Sequence, residues 1–206
     1  MIGLPPHCAG MRIGLFGGSF NPPHAGHRQT TLTAMQRLQL HRVWWLVTPG
    51  NPLKQNSGLP PLATRLAAAS RLAAHPRIKV TGFEAAIGTR YTYDTLLWLR
   101  RHCPGVQFVW IMGADNLAGF HRWQRWRDIA ALVPLCVIDR PQATLRATSS
   151  RAALALARYR LDERDAVRLA GHALPAFVFV HGPRSSLSST QLRNTKAKID
   201  LAPALS

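Results

Sequence analysis

Acidic residues are scarce in this chain of 206 residues, which contains 9 Asp and Glu against 26 Lys and Arg. The resulting formal charge of +17 attracts anions. A nucleic-acid-binding protein would use such a charge to neutralise the phosphate backbone, whereas an enzyme acting on phosphates would carry its excess arginine over solvated faces. The basic residues are dispersed and form no run of five or six. This dispersal favours the enzyme, although charge alone does not decide between the two classes.

The sequence also lacks the features of membrane-spanning, exported and disulfide-bonded proteins. No apolar run reaches the roughly 18 residues that a membrane helix needs. The first ten residues lack the basic start and apolar middle of a secretory signal. The three cysteines, Cys8, Cys103 and Cys136, share no metal-ligand or redox spacing. We therefore expect a soluble, cytoplasmic protein with reduced thiols and no membrane partner.

Length and composition predict one globular domain. Hydrophobic residues make up 47% of the chain and charged residues 17%, as in a packed core rather than a disordered chain. Residues 1–10 are expected to be a disordered N-terminal lead-in, and residues 11–206 to form the domain. Met11 lies directly before the first predicted strand, so it is an alternative start of translation.

Short apolar segments alternate with helical segments along the chain. Several of the predicted strands are apolar on both faces, which is typical of a parallel sheet covered by helices on both sides. We predict an α/β fold, namely a Rossmann-like doubly wound parallel sheet in a single domain. Ligands of such sheets bind beyond the carboxyl ends of the strands, so the loops after the first, fourth and sixth strands form the expected site. The predicted strands are 12–16, 43–48, 78–83, 107–112, 135–139 and 176–181, and the helices that follow them include 62–74, 93–102, 122–132, 149–159 and 188–194.

The loop after the first predicted strand carries the strongest sign of chemistry, and it reads Gly17-Gly18-Ser19-Phe20-Asn21-Pro22-Pro23-His24-Ala25-Gly26-His27. Glycines at a strand end let the backbone approach a phosphate, and the N-terminus of the following helix adds to the anion site. His24 and His27 are three residues apart, so both are expected to project towards one ligand and donate to phosphate oxygens. A proline turn before two exposed histidines is the structural alternative. Neither a Walker A loop nor a dinucleotide-binding fingerprint is present.

A second polar segment, Ser188-Ser189-Thr190-Gln191-Leu192-Arg193, follows the sixth predicted strand. Its hydroxyl groups can cap the N-terminus of a helix or bind a phosphate. Arg193 lies one turn into that helix and is expected to reach the same anion. An ordinary helix cap followed by a surface arginine is the alternative.

These two segments resemble the Gly-x-Phe-x-Pro-x-His-x-Gly-His and Ile-Ser-x-Thr-x-Ile-Arg elements of the adenylyl- and cytidylyltransferase superfamily. Other segments resemble the bacterial nicotinate-nucleotide adenylyltransferases in particular. Residues 89–96 resemble their Tyr-Thr-x-Asp-Thr-Leu element, residues 111–117 their Gly-x-Asp-x-Leu, residues 120–123 their Phe-x-x-Trp and residues 51–54 their Pro-x-Lys. The resemblance runs from Arg12 to about Asn194. Family members usually continue through a Val-Pro segment to a last helix with a Tyr-Ile pattern, and beyond Asn194 this closing element is expected to be shortened or altered.

The resemblance implies transfer of AMP from ATP to nicotinate mononucleotide, which yields deamido-NAD and pyrophosphate. It implies Mg²⁺ carried by ATP as the cofactor, with no metal site on the protein itself. ATP and nicotinate mononucleotide are the expected partners, and the oligomeric state stays open. The implied site residues are His24, His27 and Arg193 for catalysis, Gly17, Gly18, Ser19, Phe20, Lys54, Ser188, Ser189 and Thr190 for ATP, and Thr92, Asp115 and Trp123 for the mononucleotide.

The chemistry of the three mononucleotide residues agrees with these roles. Asp115 can accept hydrogen bonds from ribose hydroxyls, and Trp123 offers a flat face to a pyridine ring. Thr92 and the neighbouring amides can bind a carboxylate. A helix cap, a tryptophan at the core edge and a threonine at a helix start are the structural alternatives.

Two other functions stay open at this point. An adenylyltransferase with nicotinamide mononucleotide or phosphopantetheine as acceptor would share the first motif. A basic nucleic-acid-binding domain that keeps a degenerate nucleotide fold would share the charge. The intact histidines argue against that second alternative, so specific binding of nucleic acid is not expected.

Overall fold

A computed structural model of the chain describes residues 3–50, 58–139 and 144–182. Within these ranges one sheet contains seven strands, and every neighbouring pair of strands is parallel. The strands are β1 Arg12–Gly18, β2 Arg42–Val47, β3 Ile78–Thr81, β4 Gln107–Gly113, β5 Leu135–Ile138, β6 Arg160–Leu161 and β7 Phe177–Val180.

Helices connect these strands and cover both faces of the sheet. In the described ranges, no helix is long and apolar enough to cross a membrane. The α-helices are α1 Ala25–Arg37, α2 Leu62–Ala73, α3 Phe83–Ala86, α4 Thr92–His102, α5 Ala114–Gly119, α6 Trp126–Leu132, α7 Thr144–Thr148 and α8 Arg151–Ala155, and the 3-10 helices are Phe120–Arg122, Ala157–Tyr159 and Glu163–Gly171.

The order of the strands creates a switch point beside β1. Across the sheet the order is β3-β2-β1-β4-β5-β7-β6, so the chain first moves outward to β3 and then returns to place β4 on the other side of β1. Phe16 of β1 is in register with Trp45 of β2 and with Ile111 of β4. The carboxyl ends of β1 and β4 therefore flank the crevice in which doubly wound sheets bind ligands. The predicted Rossmann-like α/β fold is confirmed.

The core consists of two layers, one on each face of the sheet. In β1, Ile13 and Leu15 pack towards α3–α8, whereas Phe16 packs towards α1, α2 and the 3-10 helix Glu163–Gly171. Trp44 and Trp45 point to opposite faces, and both are fully buried. Because both faces are covered, the central strands are apolar at nearly every position, which is why the sequence pattern located them.

Three segments differ from the sequence expectation. Residues 149–159, predicted to form one helix, instead contain the short helix α8 and the 3-10 helix Ala157–Tyr159, and the two-residue strand β6 follows them. Such a short edge strand gives no periodic signal. The predicted helix at 122–132 is interrupted, since Arg125 adopts a left-handed conformation with φ of 54° and α6 begins only after it.

Residues 3–10, expected to be a disordered lead-in, pack against the domain. Pro5 is buried, and the His7 ring lies edge-on to Trp44 with 5.6 Å between centroids. Arg42 donates to the carbonyl of Pro6 at 2.8 Å, and the Gly10 N–H donates to the Gly105 carbonyl at 2.8 Å. These contacts are made with residues distant in sequence, so the composition of the segment alone did not indicate them.

Candidate active site

The predicted phosphate loop begins in the last two residues of β1, where Gly17 packs tightly against β4. A Cβ added to Gly17 would lie 2.7 Å from Cη2 of Trp110 on the neighbouring strand β4. A side chain at this position would therefore displace the indole. The carbonyl of Gly18 accepts a hydrogen bond from Thr48 N–H at 3.0 Å, which joins the loop to the end of β2.

Phe20 anchors the loop in the core. Its side chain is 1% exposed and stacks on Trp45, with 4.9 Å between ring centroids and 19° between planes. Its φ of 47° reverses the chain so that the ring turns inward. The phenyl ring thus shapes the loop, and the backbone of Phe20 is the part left for a ligand.

His24 and His27 are brought together at the start of α1. Their ring centroids are 3.8 Å apart. The backbone N–H of His24 donates to Nδ1 of His27 at 3.1 Å, and the N–H of His27 donates to the carbonyl of His24 at 2.9 Å. Because Nδ1 of His27 accepts, a neutral His27 ring carries its proton on Nε2. The helix cap therefore sets the tautomer that donates from Nε2.

Thr31 and Trp45 support this first helical turn from below. Nε1 of Trp45 donates to the Thr31 hydroxyl at 2.7 Å, and that hydroxyl donates to the carbonyl of His27 at 2.9 Å. The chain of bonds ties the turn that carries His27 to β2. Sequence reasoning did not single out Thr31, because a threonine inside a helix is usually uninformative.

Arg65 is a second residue that sequence reasoning missed. It lies on α2, is 3% exposed, and donates to backbone carbonyls in the loops after β1 and β2. Burial lowers the pKa of its guanidinium. The signal was present in the helical spacing, since Arg65, Ala69 and Ala73 share the buried face of α2.

Asp115 lies at the same edge of the sheet as the phosphate loop. Helix α5 begins at Ala114, directly after β4 ends at Gly113, and Asp115 is exposed in its first turn. Because β1 and β4 are parallel neighbours in register, their carboxyl ends lie side by side. The fold therefore places Asp115 beside the switch point.

Trp123 is linked to the phosphate loop through one ring. It is half-buried and lies edge-on to Trp110, with 6.0 Å between ring centroids. Trp110 in turn is the indole against which Gly17 packs. The residues expected to hold the two substrates thus share a common neighbour.

Thr92 is the first residue of α4, in a segment held by a buried carboxyl group. The Thr95 hydroxyl donates to Oε1 of Glu84 at 2.9 Å and lies 3.0 Å from the hydroxyl of Thr89. Burial raises the pKa of Glu84, and the hydrogen bond from Thr95 partly opposes this shift. Sequence reasoning did not single out Glu84, whose importance comes from its burial.

Five predicted site residues, Lys54, Ser188, Ser189, Thr190 and Arg193, lie outside the described residues. The last described residue, Gly182, comes two residues after β7. Strand β7 is parallel to β5, so Gly182 lies towards the same carboxyl edge of the sheet as the phosphate loop.

A glycine loop and paired histidines at the switch point of a doubly wound sheet define a nucleotide-binding α/β enzyme. Residues 15–195 match the Cytidylyltransferase-like family. The chain belongs to this family and is a nucleotidyltransferase.

Individual relatives and solved structures show which named proteins the chain resembles. A protein of Bradyrhizobium sp., named probable nicotinate-nucleotide adenylyltransferase, is 63% identical over 184 residues, which cover 89% of this chain and 96% of the relative. A protein of Methylorubrum extorquens with the same name is 61% identical over 183 residues, covering 89% and 99%. The fold is shared with the nicotinic acid mononucleotide adenylyltransferase of Plasmodium falciparum complexed with NaAD, at a TM-score of 0.67 and 16% identity over 89% of this chain and 83% of that one.

Proposed function

We propose that the chain transfers AMP from ATP to nicotinate mononucleotide, forming deamido-NAD and releasing pyrophosphate. The observation that carries the proposal is the geometry of His24 and His27, whose rings are 3.8 Å apart beside the glycine loop at the switch point. The names of the relatives support the choice of acceptor.

The reaction is an in-line displacement at phosphorus. An oxygen of the 5′-phosphate of the mononucleotide attacks the α-phosphorus of ATP. A new P–O bond forms as the bond between the α-phosphorus and its bridging oxygen to the β-phosphate breaks, and pyrophosphate leaves. Because the attacking phosphate is already anionic, no general base is required, and catalysis comes from positioning and charge stabilisation.

The histidines act on the transferring and leaving phosphates. His27 donates from Nε2, as its capping bond dictates, and His24 lies against it. The N-terminus of α1 adds its positive end to the same anion site. We assign Ser188, Ser189, Thr190, Arg193 and Lys54 to the β- and γ-phosphates of ATP.

ATP enters as its Mg²⁺ complex. Phosphate oxygens and water are the ligands that suit Mg²⁺ in a site of this kind. We infer that the ion is carried by the substrate, where it neutralises phosphate charge.

We assign the mononucleotide to the side of the sheet covered by α4 and α5. Asp115 would accept from ribose hydroxyls, Trp123 would stack on the pyridine ring, and Thr92 with the nearby amides would bind the nicotinate carboxylate.

We place the reaction in the cytoplasm, in keeping with three cysteines that form no disulfide.

The test is pyrophosphate release by the purified protein with Mg-ATP and, in parallel, nicotinate mononucleotide, nicotinamide mononucleotide or phosphopantetheine. We expect release with nicotinate mononucleotide that is strongly reduced in His24→Ala. His41→Ala, which changes an exposed histidine before β2, is the matched control and should keep full activity. Release with another acceptor alone would refute the assigned substrate, and no release with any of them from folded protein would refute the function.

A further inference from the structure

Arg65 is a charged residue placed in the core directly behind the phosphate loop. Among the described residues, its guanidinium donates four hydrogen bonds, each to a backbone carbonyl. Nη1 donates to Ser19 at 3.0 Å and to Thr48 at 2.7 Å. Nε donates to Pro60 at 2.9 Å, and Nη2 donates to Pro49 at 3.3 Å. One side chain thus joins the loop after β1, the loop after β2 and the start of α2.

Burial of a guanidinium at this position is unfavourable in free energy. Arg65 is 3% exposed, and within the described ranges no carboxylate forms an ion pair with it. Taking a cation out of water without a counter-ion is unfavourable, and burial accordingly lowers the pKa of Arg65. An aliphatic side chain beside Ala69 and Ala73 would pack without that penalty. The guanidinium therefore needs an explanation beyond packing.

The hydrogen bond from Arg65 to the Ser19 carbonyl fixes the orientation of the Ser19–Phe20 peptide. The Ser19–Phe20 peptide is trans, so its C=O and N–H point in opposite directions. Because the carbonyl of Ser19 points at Arg65, the N–H of Phe20 points away from Arg65. In the part of the chain that the structure describes, this N–H has no hydrogen-bond acceptor.

We propose that Arg65 is a positioning residue for ATP. It fixes the Ser19–Phe20 peptide so that the Phe20 N–H is presented to a phosphate oxygen of the nucleotide, and it ties this loop to the end of β2. Arg65 acts through this peptide: within the described residues, backbone carbonyls accept from four of its five N–H donors. The choice of ATP as the ligand of this loop rests on the proposed function.

The test compares Arg65→Met and Arg65→Lys with Arg71→Met, an exposed arginine on the same helix. We expect Arg65→Met to raise KM for Mg-ATP about tenfold to hundredfold, the usual effect of losing hydrogen bonds from a charged group. KM for the mononucleotide should stay within about twofold, since that subsite is untouched. Arg71→Met should match the wild type in both values.

Arg65→Lys provides partial rescue and keeps the test decisive if Arg65→Met does not fold. A lysine ammonium can replace Nη1 and donate to Ser19 and Thr48, but it loses the bonds to Pro49 and Pro60. Its KM for Mg-ATP should lie between those of the wild type and Arg65→Met. If Arg65→Met does not fold, the KM of Arg65→Lys for Mg-ATP should still exceed that of the wild type. An unchanged KM for ATP in folded Arg65→Met or Arg65→Lys would overturn the proposal, as would equal increases in KM for both substrates.

A failure of the proposed function can be told apart from a failure of this inference. If the wild type does not turn over nicotinate mononucleotide, the proposed function fails, and calorimetric titration with Mg-ATP alone still measures the effect of Arg65. Weaker binding of Mg-ATP by Arg65→Lys than by the wild type and Arg71→Met would support the positioning role. Equal dissociation constants would refute it.

Discussion

His27 caps α1 through its ring, and the proposed function gives the same ring a chemical role. Its Nδ1 accepts the N–H of His24 and so helps to cap α1, and this leaves Nε2 as the donor of a neutral ring. A sequence pattern shows that two histidines are three residues apart, but not which nitrogen serves the helix. The two tasks can be separated by substitution.

We expect His27→Asn to keep the fold and lose the reaction. The Asn amide oxygen lies near the position of Nδ1 and can accept the N–H of His24, but Asn has no donor at the position of Nε2. The melting temperature should stay near that of the wild type, while kcat falls about 10²- to 10³-fold, as after loss of one oxyanion donor. Steady-state kinetics and thermal denaturation measure the two effects. A His27→Asn enzyme with wild-type kcat would show that Nε2 takes no part in the reaction.

Glu84 makes stability depend on pH in the direction opposite to that of an ordinary paired carboxylate. Because burial raises the pKa of Glu84, the folded protein holds this proton more tightly than the unfolded chain. The stabilisation is complete below the pKa of an unfolded glutamate and is lost as pH rises through the raised folded-state value. Glu84→Gln keeps an acceptor for Thr95 and removes the titration.

We therefore expect the free energy of unfolding of Glu84→Gln, relative to the wild type, to increase as pH rises from acid to neutral. Urea unfolding across that pH range measures this difference. A pH-independent difference between Glu84→Gln and the wild type would contradict the assignment.

At the scale of elements, most strands and helices could be predicted from the sequence, because their residues form apolar runs or periodic apolar patterns. The strands around β1 and β4 are buried on both faces, and their apolar runs ended near the observed ends. The two-residue strand β6 and the packed segment 3–10 were missed, since both depend on tertiary contacts rather than on local pattern. The left-handed Arg125 that interrupts the predicted helix is another such case.

The candidate site residues divide in the same way, into those that local motifs identify and those that depend on tertiary contacts. Motif residues at strand ends, such as Gly17 and Asp115, could be placed at the carboxyl edge of the sheet from topology alone. Arg65, Glu84 and Thr31 were not singled out, because their importance lies in buried hydrogen bonds between segments distant in sequence. Burial of a polar side chain cannot be seen in a sequence unless the helical spacing reveals it, as it does for Arg65.

The close contact between Gly17 of β1 and Trp110 of β4 leads to a prediction about stability. In Gly17→Ala the new Cβ would overlap the ring of Trp110, so we expect a loss of about 1–3 kcal/mol in the free energy of unfolding, as in other overpacked cores. Gly3→Ala, which meets nothing within 4 Å, should be neutral. Adding Trp110→Phe to Gly17→Ala should destabilise by less than the sum of the single changes. Additive effects would show that the two residues do not conflict.

The packed segment 3–10 gives a prediction about an element that lies outside the motifs. A chain that begins at Met11 would lose the buried Pro5 and the contact between His7 and Trp44. We expect its melting temperature to fall while KM for both substrates stays unchanged, because the segment contacts Gly105 at the start of β4, away from the carboxyl edge. Equal melting temperatures for the two chains would show that the lead-in does not stabilise the domain.

At the scale of the whole molecule, the charge of +17 acts on every anion that approaches. Both proposed substrates are anionic, so we expect kcat/KM for Mg-ATP to fall as ionic strength rises, while kcat changes little. A salt series with KCl measures this, and a neutral co-solute at matched viscosity is the control. Insensitivity of kcat/KM to salt would show that the charge does not steer the substrate.

The indole of Trp110 connects the two proposed subsites in a way that has an optical consequence. Its ring lies against Gly17 on one side and edge-on to Trp123 on the other. A pyridine ring stacked on Trp123 is electron-poor and quenches indole emission, whereas a nucleotide in the glycine loop changes the surroundings of Trp110. We therefore expect the tryptophan emission to change when either substrate binds at these proposed subsites, so that the order of binding can be followed without a label.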